Sequence, residues 1–220
     1  MDLNYNNIAL FPSVIHQFDV NGFDEIQNQL IDYAYQFKNK DPEGVIYSNH
    51  GGWQSPNFDI VKDENDILKS FIINCLSNFP NIDKSINFEV DAWININKKG
   101  DYNEKHTHPN SHLAGVLYLK CPQDCGNIVF DSPMGFESYQ EIKSYTEGFK
   151  ECNNVFQSYE FCPREGRIFV FPAHLVHQVE LNKSNEDRIS ISFNIWLKET
   201  IHLTTTEKET SKETIHITLT

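Results

Sequence analysis

Residues 99–120, KGDYNEKHTHPNSHLAGVLYLK, contain His106, His108 and His112, the first two flanking one threonine. In extended backbone, side chains two residues apart leave the same face, so His106 and His108 at the mouth of a strand can converge on one cation. Neutral imidazole is the commonest protein ligand for metals, which makes metal binding the chemistry on offer. An H-x-H pair alone is common, and a third ligand has to come from elsewhere. His112 begins the apolar strand that follows and reads as structural or substrate-facing.

The chain offers that ligand on its return, in GRIFVFPAHLVHQV, which carries His174 and His177. His177 opens a strand and is the expected ligand, whereas His174 sits in the preceding turn, where water or a hydrogen bond satisfies it. Further on, Arg188 opens RISISFNIW. A guanidinium in a β-branched strand is costly to bury without an anion. Two partners are open: Glu186 or Asp187 beside it, or a ligand carboxylate gripped by Arg188, with Ser190 on the same strand face as a second donor.

Positioning these residues requires strands, and the pattern supplies them. INFEVDAWININ alternates Ile86, Phe88, Val90, Ala92, Ile94 and Ile96 against polar residues and Trp93, the signature of a half-buried strand. Short strands are predicted at 112–120, 126–131, 154–161, 166–171, 177–181 and 188–197, separated by Gly, Pro, Asn and Asp turns. Two helices precede them, one over Phe23–Phe37 capped by Asn21 or Asp24 and one over 63–79 ended by Pro80. This is a mainly β chain, a double-sheet jelly roll with two flanking N-terminal helices.

The domain is expected over residues 1–198, followed by an appendage, 199–220, in which the segment KETIHLT is echoed by KETIHIT. His202 and His216 belong to that repeat and read as solvated. In the insertion after residue 133, Phe136, Tyr139, Tyr145 and Phe149 form either a lid or a local core. The net charge of −13, from 31 acidic and 18 basic residues, argues against binding nucleic acid or anionic membrane. Five cysteines at irregular spacing do not make a secreted disulfide framework. Cys121 and Cys125 could clip zinc only with two further ligands, and free thiols are the simpler reading. With no apolar run of membrane length and no basic, apolar leader, a cytoplasmic setting is expected.

The motifs together resemble the Fe(II)- and 2-oxoglutarate-dependent dioxygenases, whose fold is a double-stranded β-helix. They resemble in particular a bacterial and phage group with an H-x-H-P motif leading into a Gly-Val-x-Tyr-Leu strand. Here these are His106-Thr107-His108-Pro109 and Gly115-Val116-Leu117-Tyr118-Leu119. SNHGGWQSP, GNIVFDSP, FVFPAHLVHQV and RISISFNIW also resemble that group, over roughly residues 8–198. The resemblance implies Fe(II), 2-oxoglutarate and dioxygen as cofactor and co-substrates. It also implies decarboxylation to succinate and carbon dioxide, coupled to hydroxylation of a C–H bond. Arg188 and Ser190 would then hold the distal carboxylate of 2-oxoglutarate, with Tyr118 on the cofactor side.

One departure concerns position 108, where most of these oxygenases place Asp or Glu. Either three histidines bind the metal, or Asp131, ending GNIVFD, supplies the anion; His106, His108 and His177 are the expected set. The spacing from Gly100 to His106 and from Gly166 to Pro172 also resembles the cupins, which include metal enzymes and binding modules that use no 2-oxo acid. The glutamate that cupins place soon after the second histidine is missing, since residues 109–112 are Pro, Asn, Ser and His.

Overall fold

The computed structural model describes residues 11–60, 62–79, 86–134 and 140–199. Pro80, Phe136, Tyr139 and the duplicated C-terminal segment with His202 and His216 lie outside the described residues. Two antiparallel sheets carry the fold.

The larger sheet contains β1 (His16–Asp19), β3 (Trp53–Gln54), β4 (Phe58–Asp59), β5 (Ile86–Asn97), β7 (Leu113–Lys120), β10 (Arg167–Pro172) and β12 (Arg188–Glu199). Its order is β1-β10-β7-β12-β5-β3, with β4 also pairing β5. The smaller sheet contains β2 (Asn49–His50), β6 (Tyr102–His106), β8 (Ile128–Asp131), β9 (Ser158–Phe161) and β11 (His177–Val179), in the order β2-β6-β11-β8-β9. Four helices complete the described structure: α1 (Gln27–Lys40), α2 (Asp66–Ser77), α3 (Gln140–Ser144) and α4 (Glu147–Asn153).

The alternation read in β5 has its expected meaning. Val90, Ala92, Ile94 and Ile96 pack with Leu30 and Ala34 of α1 and Leu68 and Ile72 of α2 in one core. On β12 the same role falls to Ile189, Ile191, Phe193 and Ile195. A second core lies between the sheets, where Val116, Tyr118, Phe169 and Phe171 meet Ile128 and Phe130. The large sheet is therefore covered on both faces, and the polar residues opposite its helix-side core face inward as well.

Both helices differ from expectation at their starts. Phe23–Glu25 forms a separate 3-10 turn, and α1 begins at Gln27 behind Ile26, with no side-chain cap. Neither Asn21 nor Asp24 caps it. In α2 the cap is Asn65, whose side chain accepts from the Leu68 amide at 2.9 Å. In the insertion, the Tyr145 and Phe149 rings meet at 4.5 Å, a small local cluster.

Candidate metal centre

His106 ends β6 and His177 begins β11, and the two residues are partners in the antiparallel register. As the H-x-H spacing suggested, His108 converges with His106, although β6 ends at His106 and His108 lies two residues beyond it. The His108 amide donates to Ala173 O at 2.9 Å. That bond ties the stretch after β6 to the turn between β10 and β11, and the His106 and His108 ring centroids lie 5.2 Å apart.

The three rings form a cluster: His106 and His177 centroids lie 4.3 Å apart, His108 and His177 5.1 Å. One ligand nitrogen from each falls within 4.8 Å of the others, and among the described residues this is the one His/Cys/Asp/Glu group able to hold a metal. His106 Nδ1 is 2.7 Å from Glu104 O and His177 Nδ1 is 2.9 Å from Leu175 O. A carbonyl only accepts, so each Nδ1 carries the proton and each Nε2 keeps its lone pair free. His108 Nε2 is 3.2 Å from His177 Nε2. Two metal–nitrogen bonds of about 2.1 Å at right angles end about 3 Å apart, so this spacing suits a shared ion.

Burial lowers the pKa of all three histidines, because desolvation disfavours the charged ring. His108 is held down at about 4 and His177 at about 3, with the neighbouring His106 acting in the same direction. His106 is lowered for the same first reason, opposed by the Glu104 carbonyl. At neutral pH the three imidazoles are neutral, the form that binds metals.

Asp131 does not join them. On β8, Ile128 and Phe130 point into the inter-sheet core, so Asp131 is displaced by strand alternation from the face that its neighbour Phe130 presents to His177. Its carboxylate instead pairs with Lys105 at 2.5 Å. His174 is exposed, and His112 is structural, its Nδ1 accepting from the Leu197 amide at 2.8 Å. No third ligand joins Cys121 and Cys125 among the described residues.

The triad opens onto a cavity of about 510 Å³ between the sheets, which Tyr118, Arg188 and Ser190 also line. Arg188 is 1% exposed. Its Nη1 donates to Cys125 O and to Glu180 O, the latter at 3.0 Å, while its buried Nη2 has no partner. The neighbouring acids are engaged elsewhere: Glu186 pairs with Lys120 at 2.8 Å, and Asp187 accepts from Tyr35 at 2.8 Å. The edge ion pair open on sequence grounds is thus not formed. Two backbone carbonyls aim the guanidinium, and the unpaired Nη2 leaves a charged donor for an anion, since a buried charge without one is costly. Ser190 and Tyr118 are partners across the β12–β7 ladder, both buried beside Arg188.

Several site residues were not singled out in the sequence. Trp93 stacks on His108 with centroids 5.7 Å apart. Asn95 and Asn97 of β5 and Ser192 and Asn194 of β12 also line the cavity. Asn95 Nδ2 donates to Ser192 Oγ at 3.0 Å. Their signal was the polar half of the two alternating strands, which a half-buried reading assigns to water.

The family model described as putative 2OG-Fe(II) oxygenase matches residues 91–194. No curated protein matches the sequence. Among solved structures, a Pseudomonas putida prolyl-4-hydroxylase is similar at 14% identity and TM-score 0.57, over 83% of this chain and 91% of that one. A prolyl hydroxylase from Trichoplax adhaerens is similar at 11% identity and TM-score 0.54, over 83% of each chain. HygX from Streptomyces hygroscopicus follows at 10% identity and TM-score 0.51, over 84% of this chain and 83% of that one. These likenesses establish a shared fold. The matched segment, a little under half of the chain, runs from β5 through the histidine cluster to Asn194 of β12, and over it the chain is similar to the 2OG-Fe(II) oxygenase family, whose members use Fe(II) and 2-oxoglutarate.

Proposed function

We propose that the chain hydroxylates an unactivated C–H bond, with His106, His108 and His177 as the iron ligands and Arg188, Ser190 and Tyr118 holding 2-oxoglutarate. The observation that carries this reading is the unpaired, buried Nη2 of Arg188 in the same cavity as the three histidines. Arg188 would bind the distal carboxylate of 2-oxoglutarate, with the Ser190 hydroxyl as a second donor. When bound, iron and 2-oxoglutarate would activate dioxygen, the oxidant: 2-oxoglutarate gives up two electrons and takes one oxygen atom as it becomes succinate and carbon dioxide, and the substrate C–H bond gives up two and takes the other. The protein's own part is to present three neutral imidazoles, hold the co-substrate at its far end and exclude bulk water from a cavity walled by both sheets.

The two facing sheets support a double-stranded β-helix with α1 and α2 flanking it, and we keep the domain bounds read from the sequence, 1–198 followed by 199–220, as part of this proposal. Five free cysteines support a reducing, cytoplasmic setting; no helix among the described residues is long and apolar enough to cross a membrane. The test is anaerobic: Fe(II) followed by 2-oxoglutarate should produce a visible metal-to-ligand charge-transfer band. Folded, iron-loaded protein without that band would favour a cupin-type enzyme or binding module that uses no 2-oxo acid.

A further inference from the structure

The three histidines are not held alike. His106 and His177 each direct Nδ1 at the carbonyl of the residue two positions earlier, Glu104 and Leu175. Those bonds fix each ring with Nε2 toward its neighbours. His108 is the exception: among the described residues its Nδ1 makes no hydrogen bond, while its Nε2 lies 3.2 Å from that of His177. It is also the ligand at the position where related oxygenases place a carboxylate.

The complementary group is on the facing sheet. Asn194 lies on β12, on the cavity-facing side that also carries Arg188, Ser190 and Ser192. Its Oδ1 is a buried acceptor without a hydrogen-bond partner, the only unpartnered buried side-chain atom besides Arg188 Nη2 among the described residues. Asn194 and His108 line the same cavity, and the Asn194 Oδ1 stops short of hydrogen-bond geometry. A buried acceptor without a partner thus lies beside the one histidine of the three whose ring no carbonyl holds, and a buried polar atom left unpaired calls for an explanation.

We propose that Asn194 is a positioning residue for the metal: its Oδ1 accepts the Nδ1–H of His108 when the ion binds, and so holds Nε2 of that ring on the metal. The contact gives the third histidine the same kind of support that backbone carbonyls give the other two. It fixes the tautomer and makes the imidazole a better donor, as partners of metal-bound histidines do.

The inference rests on the three-histidine reading above, and the experiment separates the two. Zn(II), which is redox-silent, is loaded into the wild type, Asn194→Ala and Asn194→Asp, and the imidazole N–H protons are followed by NMR alongside metal affinity. The wild type should show three slowly exchanging Nδ1–H signals. Asn194→Ala should lose the His108 signal and bind metal about 10- to 100-fold more weakly. Asn194→Asp, nearly isosteric, should keep that signal, move it downfield and bind metal at least as tightly as wild type. Retention of all three signals in Asn194→Ala, with affinity within twofold, overturns the proposal. If Asn194→Ala does not fold, an unmoved His108 signal in Asn194→Asp overturns it instead. A wild-type protein that binds no metal would sink the proposed function along with this inference, whereas normal wild-type binding with insensitive variants sinks only the role of Asn194.

Discussion

His177 stands directly opposite His106 across the β6–β11 pair, with ring centroids 4.3 Å apart. The site is thus assembled by strand pairing, and its two halves belong to segments distant in sequence. Replacing either residue, or His108, by alanine should abolish the charge-transfer band seen with Fe(II) and 2-oxoglutarate. The loss of metal affinity should exceed the ~100-fold that follows loss of an outer partner. Anaerobic titration measures it, and near-wild-type affinity in His177→Ala would exclude that residue as a ligand.

Arg188→Ala should weaken 2-oxoglutarate binding by about 100-fold or more, the scale of losing a buried charge-assisted pair, while metal binding survives. Stability should also fall, because Cys125 O and Glu180 O lose their donor. Each buried acceptor left bare costs about 1–3 kcal/mol. Arg188→Lys should recover part of the co-substrate affinity without the two-carbonyl anchor. Metal and co-substrate titrations run side by side decide between a co-substrate role and a purely structural one.

Asp131→Asn should leave metal affinity unchanged within about twofold. The carboxylate is committed to Lys105 on the other side of the strand, and a partly exposed ion pair of this kind contributes about 0–1 kcal/mol. A large drop in metal binding would mean that Asp131 turns inward when the ion arrives.

The metal-free protein should lose stability as pH falls below 6.5. Folded His177 and His108 stay neutral down to about 3 and about 4, whereas the unfolded chain takes up protons near 6.5. The unfolded state then binds more protons, so stability rises with pH across that window and levels off above it. Denaturation midpoints between pH 7.5 and 4.5 would show the slope. It should flatten in His177→Gln, and an unchanged slope there would remove His177 as its source.

Gly115→Ala should destabilise the fold by about 1–3 kcal/mol, the usual scale of overpacking. A methyl group there would run into the Phe193 ring and come within 2.9 Å of Phe169 O. Both belong to strands that flank β7 in the large sheet. Thermal melting tests this, and a neutral result would show that Phe193 can shift.

What could be read locally in the sequence was chemistry and alternation. His106 and His108 offered a candidate metal pair, Arg188 with Ser190 a candidate carboxylate grip, and β5 and β12 showed themselves by period two, because side-chain direction along a strand is a local property. Local reading failed where direction depends on a partner. It could not show that the His108 amide is held by Ala173 O on the return of the chain, nor that Asp131 faces away from the histidines. It also sent the polar faces of β5 and β12 to water, although a second sheet covers them. Register and sheet packing join residues far apart in the chain, and only the tertiary structure decided that His177 meets His106, that Nη2 of Arg188 is left for an anion, and that Asn194 lies beside the one histidine without its own carbonyl.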